Sequence, residues 1–68
     1  MSELSVVVGQ LIRNARLKQE ISQEKLALIC DIDRSYLGRI ERGEVNITLE
    51  KLYEIASALE IDVKNLLP

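Results

Sequence analysis

The sequence predicts an all-α fold of five helices, on three observations. Apolar residues recur at spacings of three and four along most of the chain. The β-branched run Val6-Val7-Val8 is brief and is followed by helix formers. The one Pro stands at position 68, and the three Gly, at 9, 38 and 43, are isolated, so nothing reads as a linker, a repeat or a low-complexity tract. A chain of 68 residues has room for one hydrophobic core, so residues 1–68 are read as a single domain.

The first helix is predicted from about Ser5, or earlier if Ser2 is its cap, to about Gln19, with Leu4, Val8, Leu11, Ile12 and Ala15 on one face. Ser22 is an N-cap and Glu24 suits the positive first turn of a second helix, which ends near Asp31 and buries Leu26, Ala27, Ile29 and Cys30. A third helix starts almost at once, capped by Asp33, with Tyr36, Leu37 and Ile40 inward and Gly43 as a left-handed stop. After a loop at 44–47, Thr48 caps a fourth helix striped by Leu49, Leu52, Ile55, Ala56 and Leu59. Asp62 caps a short terminal turn, counted as the fifth helix, ending in Leu66 and Leu67.

Composition narrows the function. Hydrophobic residues make up 47% and charged residues 29%, a globular balance rather than a disordered one. There is no His, and a single Cys30 can form neither an internal disulfide nor a thiolate metal site, so no metal or other cofactor is expected. Catalysis needs paired groups of suitable pKa, an activated nucleophile or a metal; the carboxylates stand singly at caps and on polar faces, and no enzyme is expected. No apolar run reaches the ~20 residues of a membrane helix. The N-terminus lacks a signal-peptide pattern, and the expected location is cytoplasmic.

The net charge of −2 speaks weakly against nucleic acid, but its distribution is uneven. Residues 1–43 hold seven Lys or Arg against six Asp or Glu, while residues 44–68 hold two against five. Two short helices joined by a tight turn, about residues 22–42, constitute a helix-turn-helix, whose second helix enters the DNA major groove. At about 100° per residue, Arg34, Gly38 and Arg42 share one side of the third helix with Ser35 and Arg39, opposite Tyr36, Leu37 and Ile40.

The stretches Ser22-Gln23-Glu24-Lys25-Leu26-Ala27, Ile32-Asp33-Arg34-Ser35-Tyr36-Leu37 and Ile40-Glu41-Arg42-Gly43, with Asn46 to Leu59, resemble the Cro/repressor-type (XRE-like) helix-turn-helix family. Within it, Asp-Arg-Ser-Tyr-Leu followed by Ile-Glu-Arg-Gly is similar to the controller proteins of restriction–modification systems, which are small dimeric regulators. The resemblance implies that Arg34, Ser35 and Arg39 face bases. Gln23, Asn46 and Thr48 would meet the DNA backbone, and Tyr36 a backbone or thymine methyl. It also implies an Arg16–Glu41 ion pair tying the first helix to the third. Asp31 stands where the family usually has a left-handed Gly, and Val45 where some controller proteins have a basic residue, which leaves that contact open.

Each position has a plainer alternative: a solvated face for Arg34 and Arg39, the core for Tyr36, mere tolerance for Gly38. The expected partners are double-stranded DNA and a second copy. The core of so short a chain supplies only ~3–5 kcal/mol, and Ile61, Val63, Leu66 and Leu67 form an apolar end that a dimer would cover. No membrane and no small-molecule substrate are expected. The alternative function is an antitoxin or protein-interaction module whose main partner is another protein.

Overall fold

A computed structural model describes residues 2–68. It contains four α-helices and one 3-10 turn: α1 (Glu3–Lys18), α2 (Gln23–Cys30), α3 (Arg34–Glu41), α4 (Leu49–Ala58) and the turn Val63–Leu66. The expected all-helical architecture is present, whereas the count of five helices is corrected. Beyond Asp62 only four residues wind, and they close i to i+3 bonds, Asn65 N–H to Asp62 O at 2.9 Å and Leu67 N–H to Lys64 O at 3.2 Å.

The helix starts follow from short polar side chains on extended backbone. Ser2, Ser22 and Thr48 each accept a hydrogen bond from the backbone N–H three residues on, at 3.0, 3.0 and 3.1 Å. Asp62 Oδ1 accepts from the N–H of Lys64, two residues on, at 3.1 Å. Asp33 occupies the N-cap of α3 but makes no side-chain cap bond.

The helix ends share a second device. The N–H groups of Ile21, Ile32, Glu44 and Ile61 reach back to the carbonyls of Arg16, Ala27, Arg39 and Ala56 at 2.9–3.2 Å. This closure requires a left-handed residue just before, and Glu20, Asp31, Gly43 and Glu60 have φ of 56°, 57°, 76° and 57°. At Gly43 a side chain is also sterically barred, since a Cβ would stand 2.6 Å from Val6 Cα. The three non-glycine residues carry the left-handed penalty of ~1–2 kcal/mol, somewhat less for Asp. Glu60→Gly should therefore raise stability by about 0.5–1 kcal/mol, the strain relief exceeding the extra backbone entropy of Gly. Urea denaturation checks this, and a loss of stability would contradict it.

Ile12, Leu26, Leu37, Ile55, Leu59 and Leu66 are fully buried and form the centre of the core. Around them α1 packs on α3, α2 on α3 and α4, and the terminal turn on α4 and α1. Three residues expected inside lie outside: Leu4 is 59% exposed, Ile29 50% and Leu49 74%. Leu4 and Leu49 stand in the first turns of their helices, at the margin of the packed stripe. Ile29 lies about 60° beyond Leu26, outside the arc of Leu26, Cys30 and Ala27 that meets the core. Cys30 itself is half-buried, and burial pushes its thiol pKa up, so it stays neutral.

Candidate nucleic-acid interface

Helices α2 and α3 pack directly on each other, joined by residues 31–33, of which Asp31 makes the left-handed bend. Ala27, 2% exposed, is the small residue buried on α2, and Leu37 and Ile40 anchor α3 to the core. The opposite side of α3 is what this anchoring displays. Arg34, Ser35, Arg39 and Arg42 are all exposed there, with no large apolar group between them, while Tyr36 is half-buried against the core.

Behind α3 lies a buried ionic network. Arg16 Nε donates to Glu41 Oε2 at 2.8 Å and its Nη2 to Glu41 Oε1 at 3.0 Å, a two-bond fork. Arg16 Nη1 donates to the Ile21 carbonyl at 2.8 Å, so the same guanidinium also holds the end of α1. The two side chains are 8% and 1% exposed. Gln23 Nε2 donates to Glu41 Oε1 at 3.0 Å. A carboxylate can only accept, so it sets the orientation of the Gln23 amide, whose nitrogen still carries a second hydrogen.

Asn46 and Thr48 are exposed and likewise tied from within. Ser5 Oγ donates to Asn46 Oδ1 at 2.7 Å, which commits the acceptor end of that amide and leaves its nitrogen as the end available to a partner. Thr48 Oγ1 serves as the α4 cap. The bonds from Ser5 to Asn46 and from Gln23 to Glu41 were not legible in the sequence, since Ser5 sits on an otherwise apolar stripe and nothing in spacing pairs it with residue 46. Arg42 donates its Nε to Glu44 Oε2 at 2.7 Å; this bond holds the Glu44 carboxyl below the usual carboxylate range and raises the Arg42 pKa.

The expected apolar end is corrected. Leu66 is fully buried under its own chain, because the terminal turn folds back on α1 and α4; Ile61 and Val63 are half-buried, and only Leu67 is largely exposed, at 45%. Leu67 instead borders a recess with Leu4, Ile47 and Leu49. Among the described residues no three His, Cys, Asp or Glu gather as metal ligands, and no helix is long and apolar enough to cross a membrane.

Residues 12–66, from Ile12 within α1 to Leu66, match the sequence profile described as Helix-turn-helix. The chain belongs to the helix-turn-helix family. Among its relatives, the control protein C.BamHI of Bacillus amyloliquefaciens is 42% identical over 67 residues, covering 97% of this chain and 83% of that protein. The control protein C.SmaI of Serratia marcescens is 37% identical over 65 residues, covering 96% and 77%. Among solved structures, the restriction–modification controller protein C.AhdI from Aeromonas hydrophila superposes with a TM-score of 0.89 at 40% identity, over 93% of this chain and 96% of that one. The resemblance to controller proteins read from the sequence is thus found at full-chain scale. This helix-turn-helix protein is a DNA-binding transcription regulator.

Proposed function

We propose that the protein is a controller-type regulator that binds an inverted-repeat operator as a homodimer. The observation that carries this reading is the division of α3: Leu37 and Ile40 are locked in the core while Arg34, Ser35 and Arg39 are displayed together on the outside. Placed in a major groove, Arg34 at the first turn can reach O6 and N7 of a guanine with two hydrogen bonds, Arg39 and Ser35 reach neighbouring edges, and Gln23, Tyr36, Asn46 and Thr48 meet the strands on either side. The internal bonds to Gln23 and Asn46 support their role, since an oriented amide loses less freedom on meeting a phosphate. The Arg16–Glu41 pair sets the seating of α3 on α1 and thereby the presentation of its outer side.

A second copy is the partner that the exposed apolar residues fit. Leu4, Leu49 and Leu67 line one recess and Tyr53 is 60% exposed, a surface unlike the polar outer side of α3. A dimer closed through this surface leaves the two α3 helices free to enter successive grooves. Transcription is then controlled by occupancy, in the cytoplasm, at promoters that carry the site.

Selection from random duplexes tests the reading. The recovered sequences should form an imperfect inverted repeat with half-sites ~10 bp apart, bound by a species that sediments as a dimer. An asymmetric single site bound by one protomer would contradict it.

A further inference from the structure

We propose that Ser5 is a positioning residue for DNA binding: its hydroxyl, held in turn by Ser2, directs the Asn46 amide nitrogen outward to a backbone phosphate and fixes the loop that carries it. The inference rests on the DNA-binding reading above and adds to it a residue that acts on the contact from within the fold.

A one-way chain of hydrogen bonds leads from the start of α1 to residue 46. Ser2 Oγ accepts from the Ser5 backbone N–H at 3.0 Å and donates to Ser5 Oγ at 2.9 Å; Ser5 Oγ then donates to Asn46 Oδ1 at 2.7 Å. Each hydroxyl has one proton to give, and here both are given toward Asn46. A reversed amide would offer an N–H to Ser5 Oγ, which already accepts from Ser2, and would strand the Ser5 proton at a residue only 9% exposed. Besides Ser2, Ser5 and Asn46, the recess around this bond is lined by apolar side chains, among them Val8, Ile47 and Leu52, so no other side chain there competes for either end. The amide is therefore held with its oxygen inward and its nitrogen outward.

The same bond places the loop. Glu44 N–H closes the end of α3 on the Arg39 carbonyl at 2.9 Å, and Thr48 Oγ1 opens α4 by accepting from Lys51 N–H at 3.1 Å. Between them, among the described residues, no backbone N–H of residues 45–47 bonds to a backbone carbonyl. Val45 and Ile47 are half-buried, which seats the loop without setting the direction of the amide between them. That direction comes from Ser5, 41 residues away. Asn46 is itself exposed and follows soon after α3, so its outward N–H groups stand beside the reading helix, where an acceptor-only phosphate is the fitting ligand.

The test uses the full chain, the selected operator duplex and a scrambled duplex of the same length, with Ser5→Ala, Asn46→Ala and the double replacement. Alanine is the better helix former at position 5, and Ser2 keeps its cap bond to the backbone N–H, so Ser5→Ala should stay folded at the assay temperature, as a thermal melt checks. Ser5→Ala should weaken binding to both duplexes alike, about threefold to tenfold, because an amide left to turn must be ordered when it meets the phosphate. In the Asn46→Ala background the same change should have no further effect. Ser5→Cys, which fills the same space but donates weakly, should weaken binding by less. Wild-type affinity in Ser5→Ala would overturn the proposal, and so would losses that multiply in the double replacement, the mark of a Ser5 that merely steadies the fold. If Asn46→Ala binds as wild type does, the proposal falls while the DNA-binding reading stands. Wild-type protein that binds neither duplex would overturn that reading, and this proposal with it.

Discussion

Glu41→Ala is expected to remove about 3–5 kcal/mol of folding stability, close to all that the core of so small a domain supplies. The cost arises less from the lost fork than from what remains. With the carboxylate gone, the Arg16 guanidinium stays under α3 with one neutral partner, the Ile21 carbonyl, in a site where its side chain is 8% exposed. Gln23 loses the acceptor that orients it as well. Arg16→Ala should cost less, since Glu41 keeps its bond from Gln23, and Arg16→Met/Glu41→Leu should recover most of the loss because no charge is left buried. Urea denaturation of the two singles and the double replacement measures the coupling. Strictly additive effects would show that the two groups do not act as a pair.

Gly9→Ala is expected to be the other severe substitution, with a net loss of about 2 kcal/mol or more. A Cβ at Gly9 would overlap the Ile40 carbonyl oxygen and lie 2.8 Å from the Glu41 carbonyl oxygen, both backbone atoms of α3 that cannot rotate away. Alanine would gain ~1 kcal/mol of helix propensity in α1, but separating α1 from α3 loosens Ile12 and Leu37 and stretches the Arg16–Glu41 fork, and overpacking of this kind costs ~1–3 kcal/mol or more. The contrast with Gly38→Ala is direct, since there the new methyl meets side-chain ends. Thermal melts of the two variants should therefore shift in opposite directions or, for Gly38→Ala, not at all; equal destabilisation would contradict the geometry.

These two glycines mark where the sequence was and was not legible. The caps at Ser22, Thr48 and Asp62 and the inward anchors Leu37 and Ile40 could be read directly, because capping chemistry and helical period are local properties. The outer side of α3 could be read for the same reason: once Leu37 and Ile40 point inward, Arg34, Ser35 and Arg39 have to point outward. Gly9 could not, since its importance lies in a neighbour 31 residues away that only tertiary packing brings close. Leu66 and Leu67 look alike in sequence, yet the first is buried and the second exposed, because the 3-10 turn ends at Leu66 and the backbone turns extended at Leu67. Period assigns a face but does not say how far the core reaches along it, which is why Leu4 and Leu49 were expected inside.

The bonds that orient the amides have a similar history. Gln23 and Asn46 were picked out as backbone contacts through family resemblance, while the groups that hold them, Glu41 and Ser5, lie 18 and 41 residues away in sequence. Both partners are buried, so the two amides and the core are joined through two hydrogen bonds. Substitutions at Ser5 or Glu41 should therefore disturb the orientation of these two amides.

The central claim, that α3 reads bases through Arg34, is tested most directly by titrating wild type and Arg34→Ala against the selected operator and its single-base variants. Arg34 is exposed at the first turn of α3, so its removal should leave the fold intact. Lysine cannot reproduce the two-bond fork on guanine, so Arg34→Lys should behave much like Arg34→Ala. The expected result is a loss of about 1–3 kcal/mol on the operator and a relaxed preference at one base pair of each half-site, with a much smaller loss on scrambled DNA. An unchanged base preference, with all sequences weakened alike, would contradict the claim even if affinity fell.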